Sequence, residues 1–398
     1  MNEESSSMEN SWHMVDNLST EQKAIKKEAI YFIEEKINNS QKGVFIIEGQ
    51  AGTGKSVLVT ALFEKIQESS KEKKSKIYGT KNFVLVNHPE MLKFYKRVAG
   101  KSDNLLKKNF ERPTTFINRC KKEVKYADVV IVDEAHLLLT KRDSYNHFDQ
   151  ENQLEEILKY AKVVILIFDN KQVLKAKSYW STEKLMSLLK ETDIKIKHLR
   201  QQFRIEANSA VKEWITAFCE KEILKLPSSQ NFDFRIMDDA NEMYQLIRMH
   251  NENVGTSRVL ATYDFPYRLD GKDYFVNAGN LQLRWDRSKP QEKLAWAERE
   301  DTIDEVGSVY TIQGFDLNYA GIILGPSVGY DKVKEELILY SEFYEDQAAF
   351  NGVKLLGINQ MNVKERLMLN AMNVLLTRPK KGLYIYAVND DLRKRLLR

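Results

Sequence analysis

Four short runs set the rhythm of the first half of the chain: GVFIIEG from Gly43, NFVLVN from Asn82, ADVVIVDE from Ala127 and KVVILIFD from Lys162. Each is apolar at consecutive rather than alternating positions and rich in β-branched residues, the pattern of strands buried on both faces of a parallel sheet. Helical or loop stretches lie between them, so this half reads as a doubly wound α/β domain. Upstream, LSTEQKAIKKEAIYFIEEKI opens on a Ser/Thr cap signal and spaces Ile25, Ala29, Phe32, Ile33 and Ile37 along one helical stripe. The first sixteen residues read as a disordered tail. After about residue 230 a second set of strand candidates, SRVLATY, GSVYTIQG, YAGIILG and KGLYIYAV, alternates with helical patterns and predicts a second α/β domain. The boundary falls near residues 195 to 230.

Composition narrows the class. At 398 residues, with 42% hydrophobic and 30% charged residues, the chain has length for two or three globular domains, each with its own core. No apolar run approaches the ~20 residues needed to cross a bilayer, and the polar, acidic start has no secretory pattern. The expectation is a cytoplasmic protein without a membrane partner. Cys120 and Cys219 are the only cysteines and lack metal-ligand spacing, so they read as structural. The net charge of +4 says little by itself. Its distribution says more: Lys65 to Lys125 holds seventeen Lys or Arg against six Asp or Glu. Such a run is usually a solvated face, and the alternative is an anionic partner.

The strongest chemical signal is IIEGQAGTGKSVLV, from Ile46 to Val59. An apolar strand leads into a turn containing Gly49, Gly52, Thr53 and Gly54, then into Lys55, Ser56 and a helix. Glycines allow a tight turn whose N–H groups face a phosphate, Lys55 reaches the β- and γ-phosphates, and Ser56 offers a hydroxyl to Mg²⁺. VVIVDEAHLL supplies the next piece. Asp133 at a strand end suits the Mg²⁺ shell, and Glu134 beside it suits orientation or deprotonation of the attacking water. His136 is either a coupling residue or a satisfied structural histidine. A guanine-reading Asn-Lys-x-Asp is absent, since NKQV at Asn170 to Val173 has Val where the Asp belongs.

Further segments, taken in order, resemble the motif series of superfamily 1 helicases. LSTEQ, with Gln22, is similar to the adenine-reading Q motif, and VLVN (Asn87) and RPTTF (Thr114, Thr115) stand where that family contacts its strand. FDNKQ resembles the third motif, with Asp169 and with Gln172 as γ-phosphate sensor. LRQQFR resembles the fourth, with Arg204 as arginine finger. TIQGFD (Gln313, Gly314, Asp316) resembles the fifth, and VLLTRPKKGLYIY the sixth, with Arg378 as a second finger. The second half is most similar to the Schlafen-type DNA/RNA helicase domain and its uncharacterised bacterial stand-alone relatives.

The resemblance implies two tandem RecA-like P-loop NTPase domains with parallel sheets, at residues 17–200 and 201–398. It implies ATP and Mg²⁺ as cofactors and a motor, translocase or helicase, acting on single-stranded DNA or RNA. The basic stretch coincides with the proposed strand contacts, so Lys107, Lys108 and Arg112 join Asn87, Thr114 and Thr115 as nucleic-acid candidates. Phe94, Tyr95, Phe110 and Phe116 are either base-stacking residues or core. Little room remains for accessory domains, which favours translocation or remodelling over processive unwinding. The rival expectation is a nucleotide-driven switch or accessory ATPase whose partner is a protein, such as a nuclease or defence component.

Overall fold

The computed structural model describes residues 18–50, 52–143, 147–169, 172–178, 180, 182–201, 209–268, 270–285, 294, 296–312, 314–356 and 359–398. Two compact units emerge from it: the described residues of Met1–Val173 with Lys177–Gln202, and those of Leu174–Ala176 with Phe203–Arg398.

In the first unit the elements run α1 (Thr20–Asn38), β1 (Gly43–Gly49), α2 (Lys55–Lys71), β2 (Asn82–Val86), α3 (Pro89–Ala99), β3 (Phe110–Glu111), α4 (Pro113–Glu123), β4 (Ala127–Asp133), α5 (Gln153–Tyr160), β5 (Ala161–Phe168), α6 (Thr182–Leu188) and β6 (Asp193–Leu199). The six strands form one parallel sheet in the order β3-β2-β4-β5-β1-β6. Successive strand residues point to opposite faces. Phe45, Ile47, Val84, Val86, Ile131 and Ile165 pack with α1, α2 and α3, while Val44, Ile46, Leu85, Val130, Val132 and Leu166 pack with α4, α5 and α6. That double covering is why the strands carry no polar alternation. The first helix starts on a capping box, in which Ser19 and Gln22 each satisfy the other's backbone N–H.

The second unit runs α7 (Ser209–Phe218), β7 (Asp233–Ile236), α8 (Ala240–Val254), β8 (Arg258–Ala261), β9 (Phe275–Ala278), β10 (Leu281–Trp285), β11 (Glu305–Gly307), α9 (Val309–Ile312), β12 (Leu317–Leu324), β13 (Val328–Asp331), β14 (Glu336–Leu339), α10 (Gln360–Leu376), β15 (Pro379–Ala387) and α11 (Asp390–Leu396). Its sheet has the order β7-β15-β12-β8-β11-β10-β9. The pairing is parallel except at the edge, where β9 runs antiparallel to β10. A separate two-stranded hairpin, β13–β14, is a further antiparallel addition to the expected parallel architecture. GSVYTIQG, expected as a strand, is a correction. The strand ends at Gly307 and Val309–Ile312 is helical, because Ser308 and Thr311 exchange local hydrogen bonds that turn the chain. Just after β8, buried Asp264 accepts from Thr262 Oγ1 at 2.8 Å and from the Ser327 N–H at 3.1 Å.

Among the described residues no helix is long and apolar enough to cross a membrane.

Candidate nucleotide site and its neighbours

A parallel sheet gathers the carboxyl ends of its strands along one edge, where α/β proteins hold their ligands. On that edge the first unit places Lys55 after β1, Asn87 after β2, Thr114 after β3, Asp133 and Glu134 at β4, and Asp169 after β5. The strand order groups them: β4, β5 and β1 are adjacent and carry the phosphate-loop and carboxylate residues, while β2 and β3 lie beside them with the strand-contact candidates.

The loop after β1 folds as its glycines require. Gly52 (φ 83°) and Gly54 (φ 74°) occupy the left-handed region that a side chain disfavours. A Cβ on Gly49 would fall 2.7 Å from Thr53 Oγ1. Thr53 Oγ1 donates to the Gln50 carbonyl at 2.9 Å and tightens the turn. Lys55, buried despite its charge, donates to the carbonyls of Gly49 (2.8 Å) and Gln50 (3.0 Å) and reaches Asp169 Oδ2 at 3.3 Å. The same oxygen accepts from Gln172 Nε2 at 2.6 Å. One carboxylate oxygen thus gathers both groups expected to touch the γ-phosphate.

Gln22 stands elsewhere than an exposed base reader would. Its carbonyl oxygen accepts from the Ser19 N–H, and its Nε2 donates to the carbonyls of Thr53 (3.2 Å) and Gly54 (3.4 Å). In this conformation it braces the phosphate loop from behind, and adenine contact requires those bonds to be exchanged.

Asp133 is 1% exposed. Its Oδ1 accepts from the Glu134 N–H at 2.9 Å and its Oδ2 from the Tyr95 hydroxyl at 2.6 Å. Burial, and next the charge of Glu134, push the Asp133 carboxyl up to about 7. Burial likewise pushes the Tyr95 hydroxyl well above its ordinary range. Glu134 takes a left-handed conformation (φ 51°, ψ 46°), which costs a residue with a Cβ on the order of 1 kcal/mol. Strain of that kind persists where the surroundings enforce it, often at functional sites. Glu134 Oε2 accepts no hydrogen bond from the described residues and lies 3.2 Å from His136 Nε2. His136 is wholly buried, and desolvation lowers its pKa. Two adjacent buried carboxylates, with Glu134 Oε2 unbonded among the described residues, fit a divalent cation.

The segment following Glu134 is held by three side chains. Asn87 Nδ2 donates to the Leu137 carbonyl at 2.7 Å, Trp180 Nε1 to the Leu138 carbonyl at 3.0 Å, and the Leu139 N–H donates to Gln153 Oε1 at 2.9 Å. Gln153 Nε2 donates in turn to Thr114 Oγ1 at 3.0 Å. Asn87 and Thr114, expected only as strand contacts, are therefore tied, directly and through Gln153, to the segment that follows Glu134. Gln153 and Trp180 carry no motif signal.

Lys107 and Lys108 are exposed on a short turn before β3, Thr115 is exposed in the first turn of α4, and Arg112, at its N-cap, is half-buried. The aromatic candidates resolve the other way: Phe94, Tyr95, Phe110 and Phe116 are all buried, and none is available for base stacking. Their apolar neighbours in the first core claim them.

In the second unit Gly314 takes φ 90° and half-buried Asp316 lies 3.4 Å from Lys380 Nζ. Arg378 is fully buried: Nε donates to the Val374 carbonyl at 2.9 Å and Nη1 to that of Phe315 at 3.4 Å. That is the setting of a brace between α10 and the turn before β12, not of an exposed finger. Arg204 and Gln313 lie outside the described residues.

Fold and edge geometry together define α/β units with largely parallel sheets, the first carrying a phosphate-loop turn after β1 and the Asp133–Glu134 pair at the end of β4. Residues 42–389 match the family profile described as Schlafen group 3, DNA/RNA helicase domain, and the chain belongs to that family. It is 43% identical over 417 residues to the uncharacterized protein YPL245W of Saccharomyces cerevisiae, covering 96% of this chain and 90% of that one. Among solved structures the chain is similar to Pif1 helicase from Candida albicans (12% identity, 95% and 96% coverage, TM-score 0.37). It is also similar to a DNA replication initiation factor (15% identity, 61% and 65% coverage, TM-score 0.29).

Proposed function

We propose that the protein is an ATP-hydrolysing, nucleic-acid-dependent motor that acts on single-stranded DNA or RNA. The observation that carries this reading is the junction on the sheet edge. Asn87 and Thr114, at the proposed strand-binding end of β2 and β3, are hydrogen-bonded to the segment that follows Glu134 directly and through Gln153. A change at the strand-binding end can therefore bias the position of the hydrolytic carboxylate without passing through the nucleotide.

In this reading the N–H groups of the loop at Gly52–Gly54 cradle the phosphates and Lys55 exchanges its carbonyl partners for phosphoryl oxygens. Ser56 and Asp133 would hold the cation, which when bound would neutralise charge on the transferring phosphoryl group. Glu134 orients the attacking water, and Gln172, released from Asp169, senses the γ-phosphate. Arg204 and Arg378 are proposed as the arginines that turnover needs, and Arg378 would first have to leave its buried carbonyl partners. Gln22, Gln313 and Asp316 are assigned to the nucleoside. Lys107, Lys108, Arg112 and Thr115 supply the strand's phosphate contacts.

The test is strand binding against salt. Each neutralised phosphate of a single strand contributes about −0.7 to the log–log slope of affinity on salt, so three to five contacts predict roughly −2 to −3.5. Reversing charge at Lys107, Lys108 and Arg112 together should flatten that slope. A strand affinity that ignores both salt and the triple reversal would move the reading to a switch acting on a protein partner.

A further inference from the structure

Tyr95 lies outside every nucleotide motif of the sequence, yet its hydroxyl is bonded to a carboxylate of the proposed cation site. It donates to Asp133 Oδ2 at 2.6 Å. The ring is fully buried and stacks on Phe110, with centroids 5.6 Å apart and an interplanar angle of 14°. Phe110 is itself packed edge-on against Phe63 of α2, the helix that begins with Lys55 and Ser56. The hydroxyl is thus aimed by packing from both the phosphate-loop helix and β3.

We infer that Tyr95 is a positioning residue for the divalent cation: its hydroxyl fixes the carboxylate of Asp133, which with Ser56 would hold the cation. The inference rests on the proposed nucleotide site and adds a residue to it. The two oxygens of Asp133 each have one donor, the Glu134 N–H on Oδ1 and Tyr95 on Oδ2. A carboxylate accepts about four hydrogen bonds, so the pinned group still has lone pairs for the cation and its waters. Magnesium tolerates little departure from octahedral geometry, which rewards a ligand already held in place. No proton or electron is transferred by Tyr95.

Binding of a fluorescent ATP analogue titrated with Mg²⁺ tests this in wild type, Tyr95→Phe and Phe110→Leu, each checked for folding by thermal melting. Tyr95→Phe keeps the ring and removes only the hydroxyl. It should raise the half-saturating Mg²⁺ concentration about tenfold or more, the range seen when an outer-shell partner of a metal ligand is lost. Affinity for the analogue in EDTA should be unchanged. Phe110→Leu loosens the stack that aims the ring but keeps the hydroxyl, and its Mg²⁺ requirement should rise less than that of Tyr95→Phe. An unchanged Mg²⁺ requirement in Tyr95→Phe, or an equal shift in both variants, overturns the assignment while leaving the nucleotide site intact. Failure of the wild type to bind the analogue at all would overturn the site and this role with it. Should Tyr95→Phe not fold, hydrogen exchange of α3 in the wild type takes its place. Protection there should rise with Mg²⁺ and nucleotide beyond nucleotide alone, and the absence of any Mg²⁺-specific change overturns the inference.

Discussion

Asn87 donates its side-chain amide to the backbone carbonyl of Leu137 at 2.7 Å, tying the end of β2 to the turn that leaves β4. Fifty residues separate the two in sequence. Replacing Asn87 by Leu removes the donor and leaves the carbonyl without it, which costs about 1–3 kcal/mol when such a group stays buried. The expected outcome is a lower urea midpoint together with a fall in turnover at saturating ATP larger than any loss of nucleotide affinity. Wild-type turnover in a folded Asn87→Leu would make the bond incidental to hydrolysis.

Lys55 and Glu134 should fail differently. Lys55→Ala removes the cation expected on the phosphates and should abolish detectable nucleotide binding and hydrolysis together. Glu134→Gln keeps the loop and should bind ATP while turning over negligibly. Equilibrium binding of a fluorescent analogue beside phosphate release separates the two, and equal loss of binding in both variants would remove Glu134 from its catalytic role.

Arg378 is buried on the carbonyls of Val374 and Phe315, so Arg378→Ala should lower stability as well as turnover. Hydrogen bonds from a charged donor are worth roughly 1.5–3 kcal/mol, and a denaturant midpoint should report a loss of that order. Wild-type stability with steeply reduced turnover is the signature of an exposed finger and would contradict the bracing role.

Asp264 gives a pH dependence with a definite sign. Burial raises its carboxyl to about 6, against hydrogen bonds from Thr262 and Ser327 that lower it. A carboxyl whose folded pKa lies above its unfolded value favours the folded state while protonated. Its contribution is complete below the unfolded pKa of about 4 and is lost as pH rises through about 6. Denaturant unfolding of wild type and Asp264→Asn across this window should show the difference moving in the variant's favour as pH rises, then levelling. A pH-independent difference would contradict a raised Asp264.

The sequence was most informative where burial is symmetrical. The strands β1, β2, β4 and β5 are covered on both faces, so their runs are continuous and their ends point to the phosphate-loop and carboxylate residues. Edge strands were harder: β6, DIKIKHL, carries Lys195, Lys197 and His198 because it pairs on one side only. Tyr95 had a legible signal in hindsight. It stands with Met91, Phe94 and Val98 on the buried stripe of α3, and it alone among them carries a hydroxyl that must find a partner. Gln153 and Trp180 gave none, because each bonds a backbone group of the loop after Glu134, which periodicity does not register. The exchange of an expected strand for α9 came from side-chain bonds of Ser308 and Thr311, which periodicity does not register.

The most direct measurement of the central claim is ATP hydrolysis by the full chain with Mg²⁺ at low salt, without and with single-stranded DNA and RNA of several lengths. A nucleic-acid-dependent motor predicts a basal rate abolished by Lys55→Ala and raised by at least one class of strand, with the stimulation lost on charge reversal at Lys107, Lys108 and Arg112. A basal rate that depends on Lys55 but responds to no strand of either kind would contradict the motor and leave a nucleotide switch serving another partner.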